Sequence, residues 1–162
     1  MAAIDYFLKL DGIAGESMDS KHKGEIELLS FSFGETLSAG PGAGGGGGGA
    51  GKVEMSDFSF TARTSKASPQ LFLHCAQGKH IKTALLTVRK AGQSQQEYIK
   101  LKLTDVLVSS YAFGADEDEG APLDAFELNF VKLAFDYFTQ KADGSLDAGT
   151  HGGWDLKKNV KV

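Results

Sequence analysis

The sequence predicts a mainly β fold, an antiparallel barrel or sandwich with one short helix. Apolar residues recur at a period of two in about seven separate stretches. A helical period appears in one short segment. No repeat of fixed length runs through the chain, which argues against a propeller.

The elements follow in order. Ile4, Tyr6, Leu8 and Leu10 alternate with Asp5, Phe7 and Lys9, the pattern of a half-buried strand. Asp11-Gly12 ends it. Residues 15–24 are polar and read as a loop, with His22 between Lys21 and Lys23, where water is expected to solvate it. A second strand is expected over about 25–33, with Leu29, Phe31 and Phe33 on one face and Ile26, Leu28, Ser30 and Ser32 on the other. Alternation resumes over 53–63, where Phe58, Phe60 and Ala62 share a face. A helix follows. Ser68 suits its cap, Pro69 its first turn and Gly78 its end. Leu71 with Cys75, and Phe72 with Ala76, stand four apart and form an apolar stripe.

Further strands are expected near 82–90, 97–108, 126–138 and 154–162. In the third of these, Phe126, Leu128 and Phe130 keep one phase, while Val131, Leu133, Phe135 and Tyr137 keep the other. Such a slip predicts a β-bulge or a strand that bends between sheets.

The chain has 162 residues, the size of one domain, and a single domain over 1–162 is expected. Its net charge is −4, so it lacks the basic excess that a nucleic-acid binder uses to displace counterions. Cys75 is the one cysteine, which excludes an internal disulfide and a cysteine-rich zinc site. The N-terminus has no basic start and its apolar run is broken by Asp5, Lys9 and Asp11, so no signal peptide is expected. No apolar run approaches the ~20 residues of a membrane helix, and no membrane insertion is expected.

The segment 38–51 is glycine-dominated, with Gly42 and the run 44–49. It lacks the side chains to build a core, and a long loop inside a compact domain is usually functional or disordered. Gly46, Gly51 and Lys52 match part of a phosphate loop, but Val53 stands where the Ser or Thr for magnesium belongs. Strand-like residues also follow, where a phosphate loop needs a helix. His74 and Cys75 are adjacent on the expected helix and point about 100° apart, so they do not form a nucleophile–base pair. No helix carries the paired histidines of a zinc protease. No catalytic, cofactor or metal residues are therefore assigned, and no enzymatic activity or cofactor is expected. The acidic run Asp116-Glu117-Asp118-Glu119 reads as a solvated hairpin loop. Lys157, Lys158 and Lys161 are bases that suit acids on another subunit.

Several stretches together resemble the Hcp (haemolysin-coregulated protein) family, the tube proteins of type VI secretion systems. They are Tyr6-Phe7-Leu8-Lys9-Leu10-Asp11-Gly12-Ile13 with Gly15-Glu16-Ser17, then Lys21-His22-Lys23-Gly24-Glu25-Ile26, then Phe31-Ser32-Phe33-Gly34. Ala50-Gly51-Lys52-Val53, Gly78-Lys79-His80, Val88-Arg89-Lys90-Ala91-Gly92, Val106-Leu107-Val108-Ser109-Ser110-Tyr111 and Gln140-Lys141-Ala142-Asp143-Gly144 follow in order. The likeness runs from the first strand to the last.

The resemblance implies an antiparallel β-barrel of two sheets with one short helix. It implies a homohexameric ring that stacks into a tube inside a contractile sheath, beneath a spike protein. Sheath contraction would expel the tube, so assembly is expected in the cytoplasm and delivery to the medium or a target cell. Relatives carry small effector proteins in the ring lumen. The chain ends just after its last expected strand and is expected to be the plain tube form. A ring needs a heterologous contact, which edge strands are expected to supply, and an extended loop over about 35–53 is expected to make ring or stacking contacts with a neighbouring subunit. Its expected contact residues are Glu35, Thr36, Leu37, Ser38, Gly42, Gly46, Gly51, Lys52 and Val53. Ser30 and Ser32 are the expected lumen or cargo contacts. The competing expectation is a small β-barrel ligand-binding module without catalysis.

Overall fold

The computed structural model describes residues 3–37, 51–90, 95–118 and 120–162. Within them the elements are β1 (Ile4–Leu10), β2 (Ile26–Ser32), β3 (Glu35–Leu37), β4 (Val53–Met55), β5 (Phe58–Arg63), α1 (Ser68–Gln77), β6 (Ile81–Lys90), β7 (Glu97–Gly114), β8 (Leu123–Tyr137), β9 (Thr150–Asp155) and β10 (Val160–Lys161). Antiparallel pairing runs β8–β5–β2–β1–β6–β7 and returns from β7 to β8, which closes a six-stranded barrel. β9 and β10 prolong the sheet along the far half of β8, and β3 pairs β4 as a separate ribbon. The expected mainly β barrel with a single short helix is therefore found.

Inward residues fill the barrel. Leu8, Leu28, Phe60, Leu86, Leu103 and Leu128 are all buried. An aromatic row threads the core, with ring centroids 5.2 Å apart for Phe33–Phe58, 5.0 Å for Phe58–Phe60 and 5.3 Å for Phe60–Phe126. Stacked pairs at such spacing add about 0.5–1.5 kcal/mol each beyond their buried area.

The expected faces of the second strand need correction. The register of β2 against β5 shifts between Leu28 and Ser30, so Leu29 is the extra residue of a bulge. Ile26 and Leu28 point inward before it, and Phe31 and Phe33 pack on the core after it. Leu29, Ser30 and Ser32 are left exposed together.

The phase slip of β8 is real, since Phe126, Leu128 and Phe130 are buried and then Leu133. The bulge of this pair, however, lies in β7, between Val108 and Ser110. Opposite the slip, β7 switches phase too, from buried Leu103 to buried Val106, across Asp105 at φ +56°. One left-handed residue rotates both paired strands together.

The expected 53–63 strand breaks into β4 and β5. At the corner, the Ser56 amide donates to the Gly34 carbonyl at 2.9 Å and the Gly34 amide donates to Ser56 Oγ at 3.0 Å. The last strand also breaks, into β9 and β10, at a turn where the Lys158 amide donates to Asp155 Oδ1 at 2.9 Å and Asn159 takes φ +54°.

In the helix, Gly78 does end α1 in the left-handed conformation, φ +61°. Ser68 does not cap it. Ala67 holds that position without a side-chain bond, and the Ser68 hydroxyl instead donates to Asp124. Buried Asp124 also accepts from Thr64 Oγ1 and the Tyr111 hydroxyl, both at 3.0 Å, which offsets its desolvation. The buried side of α1 carries Leu71, His74 and half-buried Cys75, whereas Phe72 and Ala76 face solvent.

Candidate functional site

Two surfaces stand out, and the sequence-derived contact residues divide between them. The first is one wall of the barrel. β2 pairs β1 only through Glu27 and Ile26, and β7 pairs β6 only as far as Val106. Beyond those points the order is β2, β5, β8, β7, a four-stranded wall whose two borders have no backbone partner among the described residues. Such borders are templates for pairing with another chain.

The outward face of this wall is rich in hydroxyls. Ser30 Oγ and Thr61 Oγ1 are 2.5 Å apart across β2 and β5. Ser59 Oγ donates to Glu127 at 3.3 Å. Asp57 accepts from Ser109 Oγ at 2.6 Å and from Asn129 Nδ2 at 3.0 Å. Ser32 borders a polar cleft of about 530 Å³ with Asp57, Ser59 and Glu127. Ser30 and Ser32 thus belong to one exposed, polar surface.

The second surface is the β3–β4 ribbon. Glu35, Thr36 and Leu37 pair with Met55, Glu54 and Val53. All three β3 residues are exposed, Leu37 by 58%. Gly51 and Lys52 lead into β4, whose Val53 is half-buried. Ser38, Gly42 and Gly46 lie outside the described residues. Between this ribbon and the far half of β8 with β9 runs a groove of about 920 Å³. Leu37, Val53, Met55, Phe135 and Trp154 give it an apolar lining, and the Trp154 indole N–H is buried without a partner among the described residues.

A third cluster was not anticipated. His22, read from sequence as solvated, is buried, with Nδ1 2.6 Å from Glu25 Oε2 and Nε2 2.7 Å from Glu97 Oε1. Arg89 is buried too and donates to Asp19 at 3.0 and 2.7 Å and to Asp5 at 3.1 Å. The Arg89 bond and charge hold the Asp19 carboxyl well below the usual carboxylate range, and Asp19 in turn pushes the guanidinium further up. Burial works against Glu97, but the His22 and Lys100 contacts prevail and lower it. The Glu25 arm is local in sequence and gave a faint signal. The Glu97 arm, 75 residues away, gave none.

The remaining histidines are spread apart. His80 pairs with Asp105 at 2.8 Å and His151 with Asp136 at 2.6 Å, both exposed, while His74 Nδ1 donates to the Gln70 carbonyl. Among the described residues no group of His, Cys, Asp or Glu is arranged to hold a metal ion.

Comparison with known proteins decides the family. The family model described as type VI secretion system effector, Hcp, matches residues 7–137. The chain belongs to the Hcp family. Protein hcp1 of Pseudomonas aeruginosa is 44% identical to it over 162 residues, covering 99% of each chain. The crystal structure of Hcp1 from Salmonella typhimurium is 38% identical, with a TM-score of 0.82 and full coverage of both chains. A structure described as a type six secretion system protein gives a TM-score of 0.90 at 30% identity, over 99% of this chain and all of the other. As an Hcp protein, the chain is a β-barrel structural protein of type VI secretion, a family of secreted proteins rather than known enzymes. No helix among the described residues is long and apolar enough to cross a membrane.

Proposed function

We propose that the chain, acting as one domain over 1–162, is the ring-forming subunit of the inner tube of a type VI secretion system. Six copies close head to tail, rings stack beneath the spike and inside the sheath, and contraction expels the tube with effectors in its lumen. The observation that carries this reading is the four-stranded wall with two unpaired borders and a hydroxyl-rich face. Joining the β2 border of one copy to the β7 border of the next satisfies both, and repetition closes a ring. The polar face then turns toward a wet channel, with Ser30 and Ser32 on it.

Stacking falls to the β3–β4 ribbon and the glycine-rich segment of sequence between its strands, over about 35–53. Exposed Leu37 and the apolar groove beside it supply the burial that holds one ring on the next. A ring contact of this kind buries on the order of 1,200–2,000 Å².

The same groove favours a second reading, a barrel that binds an apolar small ligand, because its size and lining suit one. Native mass spectrometry separates the two. The tube reading expects six copies of the 17.2 kDa chain in one particle. A monomer at all concentrations overturns it.

A further inference from the structure

The cluster around His22 has no part in the proposed ring, yet it brings together three buried ionisable side chains, His22, Glu25 and Arg89. The loop 11–25 lies against β1. Its own backbone is tied by Gly15 N–H to the Gly24 carbonyl at 2.8 Å and Gly24 N–H to the Ser17 carbonyl at 2.9 Å. Two side chains anchor it to the barrel. Asp19 takes the Arg89 guanidinium of β6, and His22 takes Glu97 of β7. Both His22 and Arg89 also use the Phe7 ring of β1. The His22 ring stacks on it at 4.3 Å and 7°, and the Arg89 carbon lies 4.8 Å from its centroid.

The two His22 contacts suit one protonation state of the ring. Each ring nitrogen meets an oxygen of a carboxylate, and a carboxylate only accepts. A neutral imidazole has one N–H and would aim a lone pair at the other carboxylate. Between two ionised carboxylates, only the imidazolium donates to both.

We infer that His22 is a proton-dependent latch, holding the 11–25 loop onto β1 and β7 while its ring carries both protons. The groups facing it are Glu25 at the end of the loop, Glu97 of β7 and, behind Glu97 at 3.3 Å, Lys100. Around Phe7 stand Arg89 of β6, Asp5 of β1 and Asp19 of the loop, and Lys21 and Lys23 flank His22 at the surface. With the proton, three buried or bordering cations answer four carboxylates. Without it, two cations remain, one carboxylate arm opens, and the loop loses a tether to the barrel. Rising pH therefore loosens the loop, and lowering it again restores the hold until the glutamates themselves take protons.

The test is hydrogen exchange of the 14–25 amides across a pH series, corrected for intrinsic exchange, beside NMR titration of the His22 ring nitrogens. The latch predicts that loop protection falls by at least tenfold with the same midpoint as ring deprotonation. In His22→Gln the step disappears and the loop exchanges fast at every pH. In Glu97→Gln, which keeps the buried Glu25 contact and serves if the first variant fails to fold, both midpoints move together to lower pH. A ring that is neutral while the loop stays protected, midpoints that do not coincide, or a step unchanged in either variant overturns the inference.

Discussion

Arg89 shows how a single buried side chain organises a surface. Its side chain is 3% exposed and answers two carboxylates from segments 70 and 84 residues away. Replacing it by methionine leaves Asp19 and Asp5, both partly exposed, without their cation, and losing hydrogen bonds to such charged groups costs about 1.5–3 kcal/mol. Urea denaturation of Arg89→Met is expected to show a loss of that order. Asp19 also sets an acid limit. Its carboxyl is held below its ordinary value in the folded chain, so its contribution is complete above the unfolded value of about 3.9 and disappears as pH falls. Glu97 is shifted the same way and adds to the effect. Stability measured by urea midpoint should drop below about pH 4, and Asp19→Asn should be less stable at neutral pH with a flatter acid limb. Apart from the local Glu25 arm, none of this was legible in the sequence. His22 sits between two lysines, which suggested water, and only the closure of the barrel brings Glu97 to it.

At the scale of elements, the alternation located every barrel strand, because a half-buried strand must alternate wherever one face meets the core. What alternation alone does not encode is how a strand switches faces. Leu29 in β2 and Ser109 in β7 are single extra residues, and Asp105 is one left-handed residue, each absorbed with no change in composition. The helix ends were half legible. Gly78 follows from its need for a positive φ, whereas Ser68 was drawn from a capping role to buried Asp124. The 11–25 loop has a strict steric point at Gly15, where a β-carbon would strike the Glu25 carbonyl. Gly15→Ala is expected to displace the loop and cost about 1–3 kcal/mol, with loss of the Ser17–Glu25 backbone bond visible as faster amide exchange. The ribbon makes a separate prediction. Deleting 42–49 should leave thermal unfolding of the barrel nearly unchanged while shortening or abolishing stacked tubes in electron micrographs. Full-length tubes after the deletion would remove the 42–49 segment from the stacking contact.

At the scale of the whole molecule, the fold class follows from patterning, since six antiparallel strands with inward apolar residues bury that face most completely by closing. The expected site was legible only in part. Ser30 and Ser32 do lie on an exposed polar wall, and Glu35, Thr36 and Leu37 do stand out from the barrel. The unpaired borders of that wall, and the apolar groove under the ribbon, appear only once pairing and register are known. The central claim is that those borders join copy to copy. Native mass spectrometry of the purified chain over a range of concentrations and salt tests it most directly. A dominant particle of six subunits is the predicted result, and a chain that stays monomeric under every condition would contradict it.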